Sequence, residues 1–192
     1  KSRIQDESKV KAAIPEFSTG NFLQNLEYQL RMIHLADTAE QVRFFASCDL
    51  DTVVARYQNV VDCCICGVRF LEAETRGESY RISVEVRTRL TLDTGKKIRN
   101  RYEEIRLELE GRQDVVTQHS RALREYKCPN CGGSVDILGG GACEYCNTAV
   151  DYLNFGWIIT SYTNLGQPEN PFAKILAGAL GSYMFFFLLC LD

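Results

Sequence analysis

Tyr80-Arg81-Ile82-Ser83-Val84-Glu85-Val86-Arg87-Thr88-Arg89-Leu90-Thr91-Leu92 alternates in phase from end to end. Tyr80, Ile82, Val84, Val86, Thr88, Leu90 and Leu92 share one phase; the arginines, Glu85, Ser83 and Thr91 share the other. Successive strand side chains point to opposite faces, so a period of two predicts a long strand with one buried face. Arg76-Gly77-Glu78 before it and Asp93-Thr94-Gly95-Lys96 after it read as turns. An earlier strand is expected over about 64–74, and a later one over 97–109. In the later one Ile98 and Tyr102 lie in one phase while Ile105, Leu107 and Leu109 lie in the other. That change of phase predicts a bulge near Glu103 or Glu104. Val115 to Gln118 can begin a further strand, and Phe155 to Tyr162, around Trp157, reads as another.

Upstream the period is helical. Phe22, Leu23, Leu26, Leu30 and Ile33 recur at three- and four-residue steps after Asn21 and Gln24, which have capping-box spacing. Thr38 and Gln41 repeat that spacing before Val42, Phe44 and Phe45. Asp49 or Asp51 is placed to cap a third helix through Val53, Val54, Tyr57, Val60 and Val61. Helices followed by an antiparallel meander define an α+β domain.

The second informative stretch is Cys128-Pro-Asn-Cys131-Gly-Gly, followed after Cys131 by eleven residues, then Cys143-Glu-Tyr-Cys146. Each C-x-x-C turn aims two sulfurs at one point, and two turns supply four thiolates for a tetrahedral ion. Soft sulfur ligands select zinc over magnesium or calcium; iron and a redox dithiol are the alternatives. Gly132, Gly133 and Gly139 to Gly141 permit the backbone torsions such turns need. Amides after each first cysteine are expected to donate to the sulfurs. Four cysteines fill the coordination sphere, so the site is structural, with no position open for water or substrate. The loop 134–141 carries no Lys or Arg, which disfavours nucleic acid there.

The 192 residues allow one ordinary domain and a small addition, and 45% hydrophobic with 24% charged residues is globular composition. A net charge of −3 from 22 basic and 25 acidic residues gives no general attraction for nucleic acid. Outside the two pairs stand Cys48, Cys63, Cys64, Cys66 and Cys190. Leftover thiols suit a reducing compartment, the cytoplasm or the cytoplasmic side of a membrane. The chain opens at Lys1 without a methionine, as a fragment or processed form would, and shows no signal peptide.

Other groups have plain structural readings. Asp62-Cys63-Cys64-Ile65-Cys66 is expected to place thiols in the core. His34 is expected to be a satisfied buried histidine rather than a general base, and His119 to be exposed. Asp49 and Asp51 read as helix-start residues. Arg81, Arg87, Arg89, Arg99, Arg101 and Arg106 interleave with Glu85, Glu103, Glu104 and Glu108, as cross-strand ion pairs on a solvated face would. From Ile175 to Leu191 there are seventeen residues without a charge, following the linker-like Gln167-Pro168-Glu169-Asn170-Pro171. That is the short limit for a membrane span, and a buried core or partner-binding helix is the alternative.

The stretch Phe22-Leu23-Gln24-Asn25-Leu26 through Ile33-His34-Leu35-Ala36, with the meander and Trp157-Ile158-Ile159, resembles the Tim forty-four-like domain. That is the C-terminal domain of the motor-docking subunit of the mitochondrial inner-membrane translocase, with bacterial relatives. The resemblance covers about residues 20–162. It implies a cone-like fold related to nuclear transport factor two, N-terminal helices on a curved antiparallel sheet around a pocket. It implies membrane association and protein docking rather than catalysis, and the expected function is a non-enzymatic module that binds a protein segment or lipid in its pocket. Bacterial relatives carry ribbons of the Cys-Pro-Asn-Cys-Gly kind, similar to Cys128 to Gly132; an anchor in the family is more usual upstream. The expected organisation is an arm (1–20), helices and meander (21–124), a zinc ribbon (125–150), a closing strand (151–166), and a linker with a hydrophobic tail (167–192). Membrane contact is expected through 172–191, with the domain on the cytoplasmic side. The competing functions are a pocket enzyme of the isomerase or dehydratase kind, using His34 or the Asp49 and Asp51 pair, and a nucleic-acid adaptor.

Overall fold

The computed structural model describes residues 4–113, 128, 130–133, 143–148 and 156–167. Val115 to Gln118, His119, the loop 134–141 and the tail 172–191 lie outside the described residues. The architecture is α+β. Strand β1 (Ile4–Gln5) leads into helices α1 (Glu7–Ala13) and α2 (Thr19–Leu35). A 3-10 turn (Ala39–Phe45) and helix α3 (Asp51–Arg56) follow, then strands β2 (Val60–Arg76), β3 (Ser79–Asp93), β4 (Ile98–Arg112) and β5 (Trp157–Gly166). The sheet runs β1-β2-β3-β4-β5. β1 pairs parallel with β2, and every later pairing is antiparallel, so the sheet is mixed.

β3 sits centrally because its alternation offers one continuous apolar face. Ile82, Val84, Val86 and Leu90 are fully buried there, beside Ile105, Leu107 and Leu109 of β4. Register puts Val84 opposite Phe70 and Leu107, and Val86 opposite Val68 and Ile105. Burying each such side chain contributes roughly 1.5–3 kcal/mol. Both turns fall where glycine permits a left-handed backbone: Gly77 at φ 57° and Gly95 at φ 74°. The Asp93 carboxylate accepts from the Gly95 amide at 2.8 Å and secures the second turn.

A register shift lies where a bulge is expected, between Glu104 and Ile105 in the pairing of β4 with β5. The pairing of β4 with β3 is unbroken from Ser79↔Arg112 to Asp93↔Ile98. The strand keeps one phase throughout, and Glu103, not Ile98 or Tyr102, takes the inward position. Ile98 is 60% exposed and Tyr102 47%, while Glu103 is 2% exposed.

Helix α2 covers this sheet with Phe22, Leu26, Leu30 and Ile33 buried, the stripe read from the sequence. It starts earlier than Asn21: Ser18 is the cap and its hydroxyl accepts from the Asn21 amide at 3.4 Å. Gln41 does fold back as its spacing implies, accepting from the Thr38 amide at 3.3 Å and the Asp37 amide at 2.9 Å. Asp49 accepts from the Asp51 amide at 2.8 Å, a helix-start role. α3 is shorter than its apolar spacing predicts. It ends at Arg56, and the β-branched Val60 and Val61 open β2 instead.

The N-terminal segment forms the short helix α1 and shares this core. Val10, Ile14 and Phe17 are buried in the same cluster as the sheet. Phe17 packs edge-on to Phe70 and Trp157, with ring centroids 5.7 and 6.1 Å apart. Gln29 donates to the Trp157 carbonyl at 2.6 Å, tying α2 to β5. Among the described residues, no helix is long and apolar enough to cross a membrane.

The outer sheet face is ionic, though Glu103, expected on it, is turned inward. Glu85 lies between Arg69 and Arg106, and Arg87 meets Glu104 at 2.6 Å. Of the cysteine run, Cys63 is core, Cys64 is half-buried and Cys66 is exposed.

Candidate metal centre and a buried polar chain

Cys128, Cys131, Cys143 and Cys146 converge. Their four sulfurs all lie within 4.8 Å of one another. Two close separations cross between the two turns, Cys128 to Cys146 at 3.5 Å and Cys131 to Cys143 at 3.6 Å. Neither turn alone makes the site.

The two turns repeat one design. The Cys128 amide donates to the Gly133 carbonyl at 2.8 Å, and the Gly132 amide returns to Cys128 at 2.9 Å. The Cys143 amide donates to Thr148 at 2.9 Å, and the Asn147 amide returns to Cys143 at 2.8 Å. Gly132 and Asn147 are equivalent positions, and both are left-handed, at φ 71° and 54°. Glycine and asparagine are the residues that tolerate that conformation best. Asn130 donates to the Thr148 hydroxyl at 3.1 Å and links one turn to the other.

Thiolate support comes from residues after the second cysteine of each pair. Thr148, through its hydroxyl at 3.0 Å and its amide, lowers the Cys146 thiol to about 6. The Gly133 amide favours the Cys131 thiolate, but the crowding sulfurs of Cys146, Cys143 and Cys128 raise it to about 12. Four sulfurs this close repel as anions, and a cation at their centre removes that conflict. The donor set and spacing therefore fit a metal ion. All four positions are protein sulfur, which leaves no place for a substrate on a tetrahedral ion.

A second cluster lies under the helices. His34 is 0% exposed, with Nδ1 3.0 Å from the Cys63 sulfur and Nε2 2.7 Å from the Tyr162 hydroxyl. Tyr162 is 3.3 Å from the Tyr57 hydroxyl, which donates to Glu103 Oε2 at 2.8 Å. Asn164 Nδ2 donates to both Tyr57 and Glu103 at 2.7 Å. The other carboxylate oxygen of Glu103 faces Arg101 Nε at 2.9 Å and Arg56 Nη2 at 3.9 Å. The chain thus joins α2, the end of α3, β2, β4 and β5.

Burial, with the positive charge of Arg101 second, lowers His34 to about 3. Its imidazole is neutral, as a satisfied core histidine should be. Burial also raises Cys63 and Tyr57, each to about 12. Asp49 and Asp51 take no part, since they start α3. The sequence reading put Glu103 among ion pairs on a solvated face, whereas it is 2% exposed and turned inward by the strand's single phase; Tyr57, Tyr162 and Asn164 were not read as site residues. The one available signal was Glu103 in the phase of Ile105, Leu107 and Leu109.

No protein-family model matches the sequence, and no curated protein or solved structure matches it. The chain itself defines an α+β domain with a four-cysteine cluster suited to a metal ion.

Proposed function

We propose that this chain is a non-enzymatic docking module braced by structural zinc. The closed four-sulfur cluster carries the reading. Tetrahedral zinc with bonds of about 2.3 Å places its sulfurs about 3.8 Å apart. The cross-turn separations of 3.5 and 3.6 Å lie close to that value. Zinc then acts as a clamp on a segment too small for its own core, the role expected of a ribbon.

The surrounding domain is of the Tim forty-four-like kind, a cone related to nuclear transport factor two. Helices laid on an antiparallel meander support that assignment. The module binds a protein or lipid partner at the cytoplasmic side of a membrane, with 172–191 making membrane contact. The uncharged run from Ile175 to Leu191 supports that placement. An isomerase or dehydratase reading needs an acid or base facing substrate, and His34 is sealed and neutral instead.

Two measurements test this. Metal analysis of the purified chain should give one zinc per chain, lost when Cys143 becomes serine. Membrane flotation should carry the full chain but not a version ending at Gln167. Iron in place of zinc would sink the clamp's identity, and flotation of neither form would sink the membrane placement.

A further inference from the structure

We infer that the buried chain has a single hydrogen-bond order, set at Glu103, which holds His34 as its Nε2–H tautomer and makes Cys63 a donor. The order follows from what each group is able to give. An ionised carboxylate only accepts, so the hydroxyl hydrogen of Tyr57 points to Glu103. The oxygen of Tyr57 is left to accept. Asn164 supplies one donor, and its orientation is pinned because its Oδ1 receives the Gly166 amide at 2.7 Å.

Tyr162 is the second neighbour of that oxygen, at 3.3 Å. If its hydrogen pointed away from Tyr57, two sets of lone pairs would face each other in a water-poor interior. Its hydrogen therefore points to Tyr57. The Tyr162 oxygen must then accept from His34, which places the imidazole hydrogen on Nε2. A neutral imidazole has one N–H, so Nδ1 is an acceptor and the Cys63 S–H turns toward it. Every dipole in the chain then points toward the negative charge of Glu103, and such chains strengthen one another.

The order that Glu103 selects has one competitor, its reverse. In the reverse order Tyr162 donates to Nε2, Nδ1 carries the hydrogen, and Cys63 becomes the acceptor. Tyr57 holds the balance, because it alone passes the demand of Glu103 to Tyr162.

Nitrogen-15 NMR of histidine-labelled full-length protein at neutral pH reads the order directly. The chain has two histidines, so a His119→Gln background leaves the His34 ring alone in the spectrum. The expected wild-type pattern is Nε2–H, with Nδ1 unprotonated. Tyr57→Phe should shift the tautomer ratio toward Nδ1–H by roughly tenfold, one hydrogen bond's worth, because Tyr162 then has only His34 to donate to. Cys63→Ala should leave Nε2–H in place. Nδ1–H in the wild type overturns the order, whether or not Tyr57→Phe folds. Nε2–H in folded Tyr57→Phe, or a switch in Cys63→Ala, overturns the claim that Glu103 sets it.

Discussion

The cysteine cluster and the buried polar chain are both closed sets of convergent side chains, yet they are built at opposite ranges. The cysteines converge across 18 residues, through two copies of one short turn. The polar chain joins partners 29, 46 and 128 residues apart, and no two of its members share a turn. Local convergence needs only turn geometry and a cation. Long-range convergence needs the whole helix layer docked on the sheet in one register. The first should therefore fail alone, and the second should fail with the fold.

Metal removal should have the largest effect and the narrowest reach. Structural zinc contributes an apparent ~10–16 kcal/mol in small zinc-finger peptides at neutral pH. Stripping the ion with a chelator, or replacing Cys128 with serine, should abolish amide protection in the two cysteine turns, 130–133 and 143–148. β3 and β4 should keep theirs. Hydrogen exchange resolved by peptide gives the answer, and loss of protection in β3 would show that the two regions are one cooperative unit.

Glu103→Ala should come next, and here the whole sheet should respond. The change leaves Tyr57 and Asn164 without their acceptor and Arg101 without its counter-charge. Breaking a buried pair costs about 3–5 kcal/mol, and the lower end applies because Arg56 and Arg101 are partly open to water. Urea denaturation should report about 3 kcal/mol lost with an unchanged slope. A loss under about 1 kcal/mol would mean that the carboxylate reaches solvent.

Acid should separate the regions through His34. The groups facing its ring are Cys63 of β2, Tyr162 of β5, Tyr57 after α3 and Arg101 of β4. Its folded pKa is lowered to about 3. The unfolded chain therefore takes up the proton first, near about pH 6.5. Stability should be full above that pH and fall as pH drops toward 3, at up to ~1.4 kcal/mol per unit. Between about pH 6.5 and about pH 5, before most carboxylates titrate, the loss should be about 2 kcal/mol. His34→Gln should flatten that slope, and an unchanged slope in the variant would clear His34 of the effect.

Much of this was legible in the residues, and the part that was not has a physical cause. The alternation over 80–92 placed β3 and both its turns, because period two and a glycine at positive φ are local signals. The cysteines were legible for the same reason. α3 was read too long because Val60 and Val61 satisfy a helical period as well as a strand, and pairing with β3 decided between them. The bulge expected near Glu103 or Glu104 has its counterpart on the β5 side, but it was expected on the premise that apolar residues choose the inward face along the whole strand. Unbroken pairing with β3 reversed that choice, so Tyr102 went to solvent and a carboxylate went inside. The partners that make this tolerable are 46 and 61 residues away. A single sequence carries no mark that Tyr57 and Asn164 will meet there.

The smallest effect should come from the residue next door. Glu104 follows Glu103 in β4, and the strand period turns it to the outer face, where it pairs with Arg87. The Arg87 side chain is 54% exposed and that of Glu104 33%, so water screens the pair and receives either partner when the other is removed. Such pairs contribute about 0–1 kcal/mol. Glu104→Ala should thus change stability by less than about 1 kcal/mol, and high salt should erase the difference. Two adjacent glutamates then differ several-fold in cost for one reason, the face to which the pleat turns them. Equal losses at 103 and 104 would mean that β4 is rotated or slipped, and the register on which the polar chain depends would fall with it.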